Sequence, residues 1–163
     1  MMKNKNLLII SCGDVKREGT FKAEELYVGL MFRKRLKFAR SVKDIDKIMI
    51  LSGKYGLIEL DALITTYNQK LPKDFQFSAE IKNFLNENNV YILMNKDYEK
   101  VMVKNNINIK LSLLNLYNKH KKYNGLGFIY QWFNNNEGKS IYDFENDHNI
   151  NYEFKRKQEK INE

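Results

Sequence analysis

The chain has 163 residues, one cysteine and a formal net charge of +8 at neutral pH, and this length predicts a single domain with its own core. One cysteine excludes an internal disulfide framework, and the chain lacks the Cys-x-x-Cys or His-x-x-x-His spacing of a structural zinc site. No apolar run resembles a membrane span or a signal peptide, so we expect a cytoplasmic protein with no membrane, metal or cofactor partner.

Apolar runs alternate with helical spacing from the start of the chain. Continuous apolar segments predict strands at 5–11, 46–52 and 90–94, with a weaker candidate at 107–112. Apolar stripes predict helices at 22–42, 78–89, 97–105 and 125–135. The alternation predicts an α/β domain over residues 1–134, a three-layer sandwich with a small, mostly parallel four-stranded sheet and helices on both faces. Residues 135–163 are polar and predict an extension that is helical or disordered.

Two loops that follow predicted strands share Ser, Gly and Lys, as "SCGDVK" at 11–16 and "SGKYG" at 52–56. Loops after adjacent parallel strands open on one edge of a sheet, where α/β proteins bind ligands. Glycine backbones and lysines there suit a phosphate or carboxylate, although a plain strand-to-helix turn has the same composition. The expected ligand-binding residues are Ser11, Cys12, Gly13, Lys16, Ser52, Gly53, Lys54, Tyr55 and Gly56.

The segment 57–71 has no regular period, which is typical of either a functional loop or a short buried hairpin or helix. As a functional loop it offers Tyr67 to stack on a base and Asn68 to bind a base edge, with Lys70 nearby. Asp61 is the candidate general base or cation stabiliser. Cys12 is a candidate nucleophile, or else a small core residue.

A basic stripe formed by Arg33, Lys37 and Arg40 lies beside the apolar stripe of the helix predicted at 22–42. With the net charge, it favours a nucleotide or nucleic-acid partner. Ordinary surface lysines of a Lys- and Asn-rich chain explain the charge equally well.

Several motifs in order resemble the bacterial and phage domain-of-unknown-function family 6884, over residues 7–133. The matching positions are Cys12, Lys16, Leu26, Tyr27, Gly29, Phe32, Leu51, Ser52, Gly56, Leu57 and Tyr67. Gly53 stands where the family usually has Ala, and Thr66 stands where it usually has Pro. The resemblance implies a short cytoplasmic domain and adds Tyr27 to the expected ligand-binding residues.

The layout is also similar to uracil-DNA-glycosylase-like α/β folds, although the His-Pro-Ser loop of those enzymes is absent from this chain. We therefore expect a nucleotide- or nucleic-acid-processing protein, with N-glycosidase-like action on a nucleobase or modified base as its specific form. The alternatives are a non-catalytic DNA- or RNA-binding module and a small phage or mobile-element protein that binds a host protein.

Overall fold

A computed structural model describes residues 3–149, which form a five-stranded sheet, a two-stranded ribbon and the helices around them. The strands are β1 Asn6–Ser11, β2 Thr20–Lys22, β3 Lys47–Ser52, β4 Gly56–Glu59, β5 Leu63–Thr65, β6 Asn89–Leu93 and β7 Ile109–Ser112. The helices are α1 Ala23–Leu26, α2 Leu30–Ser41, α3 Ala79–Asn86, α4 Lys96–Lys104, α5 Leu113–His120 and α6 Leu126–Asn136, and residues 141–149 are also helical.

The main sheet has the strand order β4-β3-β1-β6-β7. β3, β1, β6 and β7 are parallel, and Leu8 on β1 is in register with Ile48 on one side and Tyr91 on the other. The prediction that the strands at 5–11, 46–52 and 90–94 are parallel neighbours is therefore confirmed. The pairing of β6 with β7 shifts register between Val90 and Tyr91.

The expected number of four strands is wrong because β4 adds a fifth. It turns back directly after β3 and pairs with it antiparallel, from Ser52 opposite Gly56 to Met49 opposite Glu59. The uniform helix expected over 22–42 is also interrupted, since Tyr27 is extended and forms a β-bridge with Lys16. α5 was not predicted.

Side chains alternate between the two faces of the sheet, as the pleat requires. Leu8 and Ile10 are buried in one apolar cluster with residues of α2, α5 and α6. Leu7 and Ile9 are buried in a second cluster with residues of α3 and α4. Each fully buried aliphatic side chain contributes about 1.5–3 kcal/mol of transfer free energy, so both faces stabilise the sheet.

The polar segment after residue 134 contributes to the first apolar cluster. α6 continues to Asn136, and the buried Ile141 and Phe144 pack in the cluster that contains α6. The Tyr91 hydroxyl donates a hydrogen bond to the carboxylate of Glu145. The remainder of the extension expected at 135–163 lies beyond the described residues. Between residues 3 and 149 no helix combines the length and apolarity needed to cross a membrane.

Candidate functional site

The loop after β1 is held against the start of the helical layer. Val28 donates its backbone N–H to Val15 O (2.9 Å), and Arg17 donates to Leu26 O (2.9 Å). This pairing brings Lys16 beside Tyr27. The extended backbone that interrupts the predicted helix therefore positions a tyrosine at the carboxyl end of the sheet.

A second connection brings Tyr67 to the same place. β2 and β5 pair antiparallel, and Thr66 donates its backbone N–H to Gly19 O (3.0 Å). The Thr66 hydroxyl accepts from Gly19 N (2.8 Å) and donates to Arg17 O. The proline usual in the resemblance has no N–H to donate, so Thr66 joins the ribbon to the β1 loop by bonds that proline could not form.

Five polar side chains meet at the carboxyl ends of β1 and β3, and we call them the tyrosine cluster: Cys12, Tyr27, Ser52, Tyr67 and Tyr98. The Tyr27 and Tyr67 hydroxyls lie 2.7 Å apart, and Ser52 Oγ lies 3.2 Å from the first and 2.8 Å from the second. Cys12 Sγ is 3.3 Å from the Tyr98 hydroxyl. Leu71 N and Gly53 N donate to the Tyr98 and Tyr67 hydroxyls at 3.4 and 3.3 Å.

Two glycines let the β3–β4 turn pass under this cluster. A Cβ added at Gly53 would lie 2.2 Å from Gln69 O, and Gly56 has φ +71°. Both conditions favour glycine, the first through close backbone approach and the second through a left-handed conformation. The turn also lets Tyr55 donate its backbone N–H to Ser52 Oγ (3.2 Å).

Burial keeps the tyrosine hydroxyls protonated. Loss of solvent raises the pKa of Tyr27 to about 12, although its hydrogen bonds to Ser52 and Tyr67 act in the opposite direction. Burial also raises the pKa of Tyr67 and of Tyr98 well above the ordinary value, and nearby Cys12 adds to both shifts. At neutral pH the cluster therefore offers neutral hydroxyls, which donate and accept hydrogen bonds but carry no charge.

Arg35 on α2 is a half-buried cation beside this cluster. Its Nη1 donates to the carbonyl (3.0 Å) and to the hydroxyl (2.9 Å) of Ser11, the last residue of β1. The same hydroxyl accepts from Asn95 N (3.4 Å), just after β6. Burial lowers the pKa of the Arg35 guanidinium, while nearby Cys12 and Tyr130 act to raise it.

In the described part of the chain no carboxylate pairs with Arg35. Every buried side-chain nitrogen or oxygen there has a hydrogen-bond partner, so the other guanidinium N–H groups reach accessible space. Arg35 lies at the switch point of the sheet, because the chain leaves β1 toward α2 and leaves β6 toward α4, on opposite faces. Ligands of α/β proteins bind outside the strand ends at such switch points.

Two more cations border the cluster. Lys16 Nζ lies 4.6 Å from the centre of the Tyr67 ring, and Lys54 Nζ lies 5.3 Å from the centre of the Tyr55 ring. The two rings are edge to face, 5.6 Å apart. Lys16 also donates to Asp14 O (3.2 Å), a backbone carbonyl. These lysines and Arg35 place three cations at this edge of the sheet.

The structure brings together some of the residues that the sequence predicts. Cys12, Tyr27, Ser52 and Tyr67 form the cluster itself, bordered by Ser11, Gly13, Lys16, Gly53, Lys54, Tyr55 and Gly56. Asp61 is exposed in the turn between β4 and β5, and no bond joins it to the cluster in residues 3–149. Asn68 and Lys70 are exposed, with side chains bonded to no cluster residue in that range.

The sequence interpretation missed Arg35 and Tyr98. Arg35 follows Phe32 by three residues and precedes Ala39 by four, so its helical position places it on the apolar stripe. Tyr98 lies in the first turn of α4, directly after β6, where a helix begins at the carboxyl edge of the sheet. A charged residue on an apolar stripe and a tyrosine in that first turn are signals available in the sequence.

The basic stripe is exposed as expected. Arg33, Lys37 and Arg40 are all exposed on α2, and Arg40 forms an ion pair with Glu24 (2.9 Å). Within residues 3–149 no group of three or more His, Cys, Asp or Glu side chains is placed to hold a metal ion.

The fold and this site define a class: an α/β protein with a mostly parallel sheet and a polar, electropositive cluster where β1, β3 and β6 end. The model of a family of unknown function, DUF6884, matches residues 7–122, and the chain belongs to this family. No curated protein and no solved structure matches the chain significantly. The similarity to uracil-DNA-glycosylase-like folds stays a prediction.

Proposed function

We propose that this protein binds a nucleotide, free or within a nucleic acid, at the tyrosine cluster, and processes it. The observation that carries the proposal is Arg35, a half-buried guanidinium at the carboxyl end of β1 with no carboxylate partner among the described residues. A cation removed from water is costly unless an anion pairs with it. A phosphate matches the fork of guanidinium donors that are not bonded to Ser11.

The neighbouring groups support a nucleotide over a bare phosphate. Lys16, in the loop after β1, provides a second cation, and Tyr55, 36% exposed, presents an aromatic ring. Bases stack on such rings with little regard to sequence. The hydroxyls of Tyr67 and Tyr98 stay neutral because burial raises the pKa of both, so they add no negative charge that would repel a phosphate.

N-glycosidic cleavage is the specific form of processing that we propose. Such a reaction separates a base from an oxocarbenium-like sugar, which a nucleophile or placed water must capture. Asp61 lacks contact with the cluster, so Cys12, a partly exposed thiol in the site, is the nucleophile that we propose. Its sulfur bonds to C1′ of the sugar as the bond from C1′ to the base breaks, and the thiol proton goes to the departing base. Water then hydrolyses the thioglycoside and restores the thiol. Release of free base from oligonucleotides and nucleoside monophosphates, followed by chromatography, tests it. Cys12→Ala should abolish release, whereas Asp61→Asn should retain it.

Binding is tested separately, by thermal unfolding with nucleoside monophosphates, with inorganic phosphate and with nucleosides. At a ligand concentration about 100-fold above Kd we expect the midpoint to rise by about 5–10 °C. Arg35→Met should remove this shift, and Arg35→Lys should retain part of it because one cation remains. An unchanged wild-type midpoint with every nucleotide would overturn the proposal. An equal shift with phosphate alone would limit the site to an anion site.

The exposed basic stripe favours a second function, nucleic-acid binding without catalysis. Arg33 and Lys37 have no carboxylate partner within residues 3–149. Replacing both with Glu should weaken DNA binding and lower the salt slope by about 0.9 per lost phosphate contact. Lys100 and Lys104 on α4 provide the matched control, because both are exposed on the other side of the sheet. Equal DNA binding by the Arg33/Lys37 variant and the Lys100/Lys104 variant would show that the basic stripe does not bind nucleic acid.

A further inference from the structure

A groove between α5 and α6 carries a second set of features, separate from the tyrosine cluster. It has a volume of about 390 Å³, within the range of about 300–1,000 Å³ typical of ligand sites. Its aromatic lining consists of Tyr117, Tyr123, Phe128 and Trp132. Phe128 and Trp132 are four residues apart and share one face of α6.

The four rings form two pairs. Tyr117 and Trp132 pack edge to face with centres 5.9 Å apart, and Tyr123 and Phe128 are tilted at 5.3 Å. Tyr123 is 65% exposed and Phe128 is 43% exposed. Because these two rings are adjacent, they form a contiguous exposed apolar patch, and such patches mark interaction or ligand-binding sites.

The charged and amide side chains of the groove indicate the occupant. Lys121 and Lys122 line it together with the amides Gln131 and Asn135, and among residues 3–149 no carboxylate lines it. His120 also lines the groove and contacts Asp147 (3.0 Å). The lining is therefore cationic and aromatic, a combination that complements a polyanion bearing flat bases.

We infer that this groove binds single-stranded nucleic acid. Bases stack on the exposed rings of Phe128 and Tyr123, and the two lysines contact phosphates. The amides of Gln131 and Asn135 can form hydrogen bonds with base edges, which are accessible in a single strand. A duplex keeps its bases stacked on each other and offers only phosphates to this surface.

The only tryptophan of the chain lines the groove, so its fluorescence reports binding directly. We expect a short oligothymidylate to quench Trp132 and to bind more tightly than a blunt duplex or inorganic polyphosphate. Tyr123→Leu with Phe128→Leu keeps apolar side chains but removes two rings, and should weaken single-strand binding roughly tenfold or more. The ring-retaining pair Tyr123→Phe with Phe128→Tyr should bind nearly as wild type.

Replacement of lysines by glutamine separates base stacking from the electrostatic attraction between lysines and phosphates. Lys121→Gln with Lys122→Gln should lower the single-strand salt slope by about 1.4. The same change at Lys100 and Lys104 on α4 should leave both the slope and the Trp132 quenching unchanged. Circular dichroism of each variant checks that it is folded.

Three outcomes would overturn the inference. Equal quenching by duplex, polyphosphate and oligothymidylate would show attraction without stacking. Wild-type affinity in the double leucine variant would show that the rings do not contact bases. Quenching that depends on protein concentration without nucleic acid would assign the groove to a second copy of the chain. Loss of nucleotide binding in Arg35→Met leaves this inference intact, because Arg35 does not line the groove.

Discussion

On folding, each tyrosine hydroxyl of the cluster loses contact with water and gains a protein hydrogen-bond partner. This change of surroundings shifts the pKa of the hydroxyl. Tyr27 is 1% exposed and bonds to Ser52 and Tyr67. Its pKa is about 12 in the folded protein, against an ordinary value of 10.0. Between these values the unfolded chain has lost a proton that the folded protein retains, so the free energy of unfolding falls as pH rises.

Tyr27→Phe should therefore alter stability in two pH ranges. At neutral pH the variant should be less stable by about 1 kcal/mol, because it loses a buried hydrogen bond. Above about pH 10 the wild-type advantage should shrink, by up to about 1.4 kcal/mol per pH unit for one proton. Urea unfolding from pH 7 to 12 measures both, with the exposed Tyr123→Phe as control. Parallel curves for wild type and Tyr27→Phe would contradict the assigned pKa.

Part of the site could be predicted from residue types alone, because one topological rule governs it. Cys12 follows β1 and Ser52 ends β3, and parallel strands end on the same edge. The prediction extended to Asp61 because the segment 57–71 shows no period. The hairpin that carries Asp61 away from the cluster depends on β4 pairing with β3, a local pairing that the short, mostly apolar run at 57–60 does not distinguish from a helix.

At the scale of elements, the β3–β4 turn is the most constrained piece of backbone. Gly53→Ala would place a methyl group 2.2 Å from Gln69 O, and this backbone atom cannot rotate away. We expect a loss of about 1–3 kcal/mol or more. Gly127→Ala is the matched control, since Gly127 lies within α6 with nothing within 4 Å of an added Cβ. That change should gain about 0.5–1 kcal/mol.

Chemical denaturation of the two glycine variants gives these free energies directly. A Gly53→Ala protein as stable as wild type would show that the segment carrying Gln69 moves aside easily. In that event the turn would not hold Ser52 rigidly under Tyr67.

The boundaries of helices and strands could be predicted where a whole element is buried along its length. β1, β3 and β6 are buried along most of their length, so their apolar runs stand out. β5 has only three residues, and Leu63 on it is 73% exposed, so no alternation marks it. The helix predicted at 22–42 contains Gly29, which has low helical propensity and stands at the N-cap of α2. The tertiary pairing of Tyr27 with Lys16 fixes the break just before it.

At the scale of the whole molecule, the segment after α6 completes the core on one face. Phe144 is 2% exposed, with its ring centre 6.0 Å from Phe38 and 5.9 Å from Trp132. Phe144→Ala should cost about 3–5 kcal/mol. The same substitution at the 43% exposed Phe128 should cost much less, and guanidinium denaturation compares the two. Equal losses would show that the segment does not contribute to the core.

The order of layers could be predicted because the alternation of strands and helices permits few topologies. The contribution of residues 141–149 could not, because two apolar side chains, Ile141 and Phe144, lie among polar neighbours. Their spacing of three residues matches a helical face, but it is too short to distinguish a docked helix from an exposed one.

β7 is an outer strand of the sheet, and an outer strand leaves unpaired backbone groups that could recruit another chain. It is only four residues long, and its neighbour pairing shifts register between Val90 and Tyr91. Lys110 near its centre is exposed, and addition of a further strand would crowd its ammonium group and strip it of water. Shortness, irregular pairing and a charge are the devices by which sheets discourage cross-β aggregation. These features of β7 therefore protect the protein from polymerising through backbone pairing at this edge of the sheet.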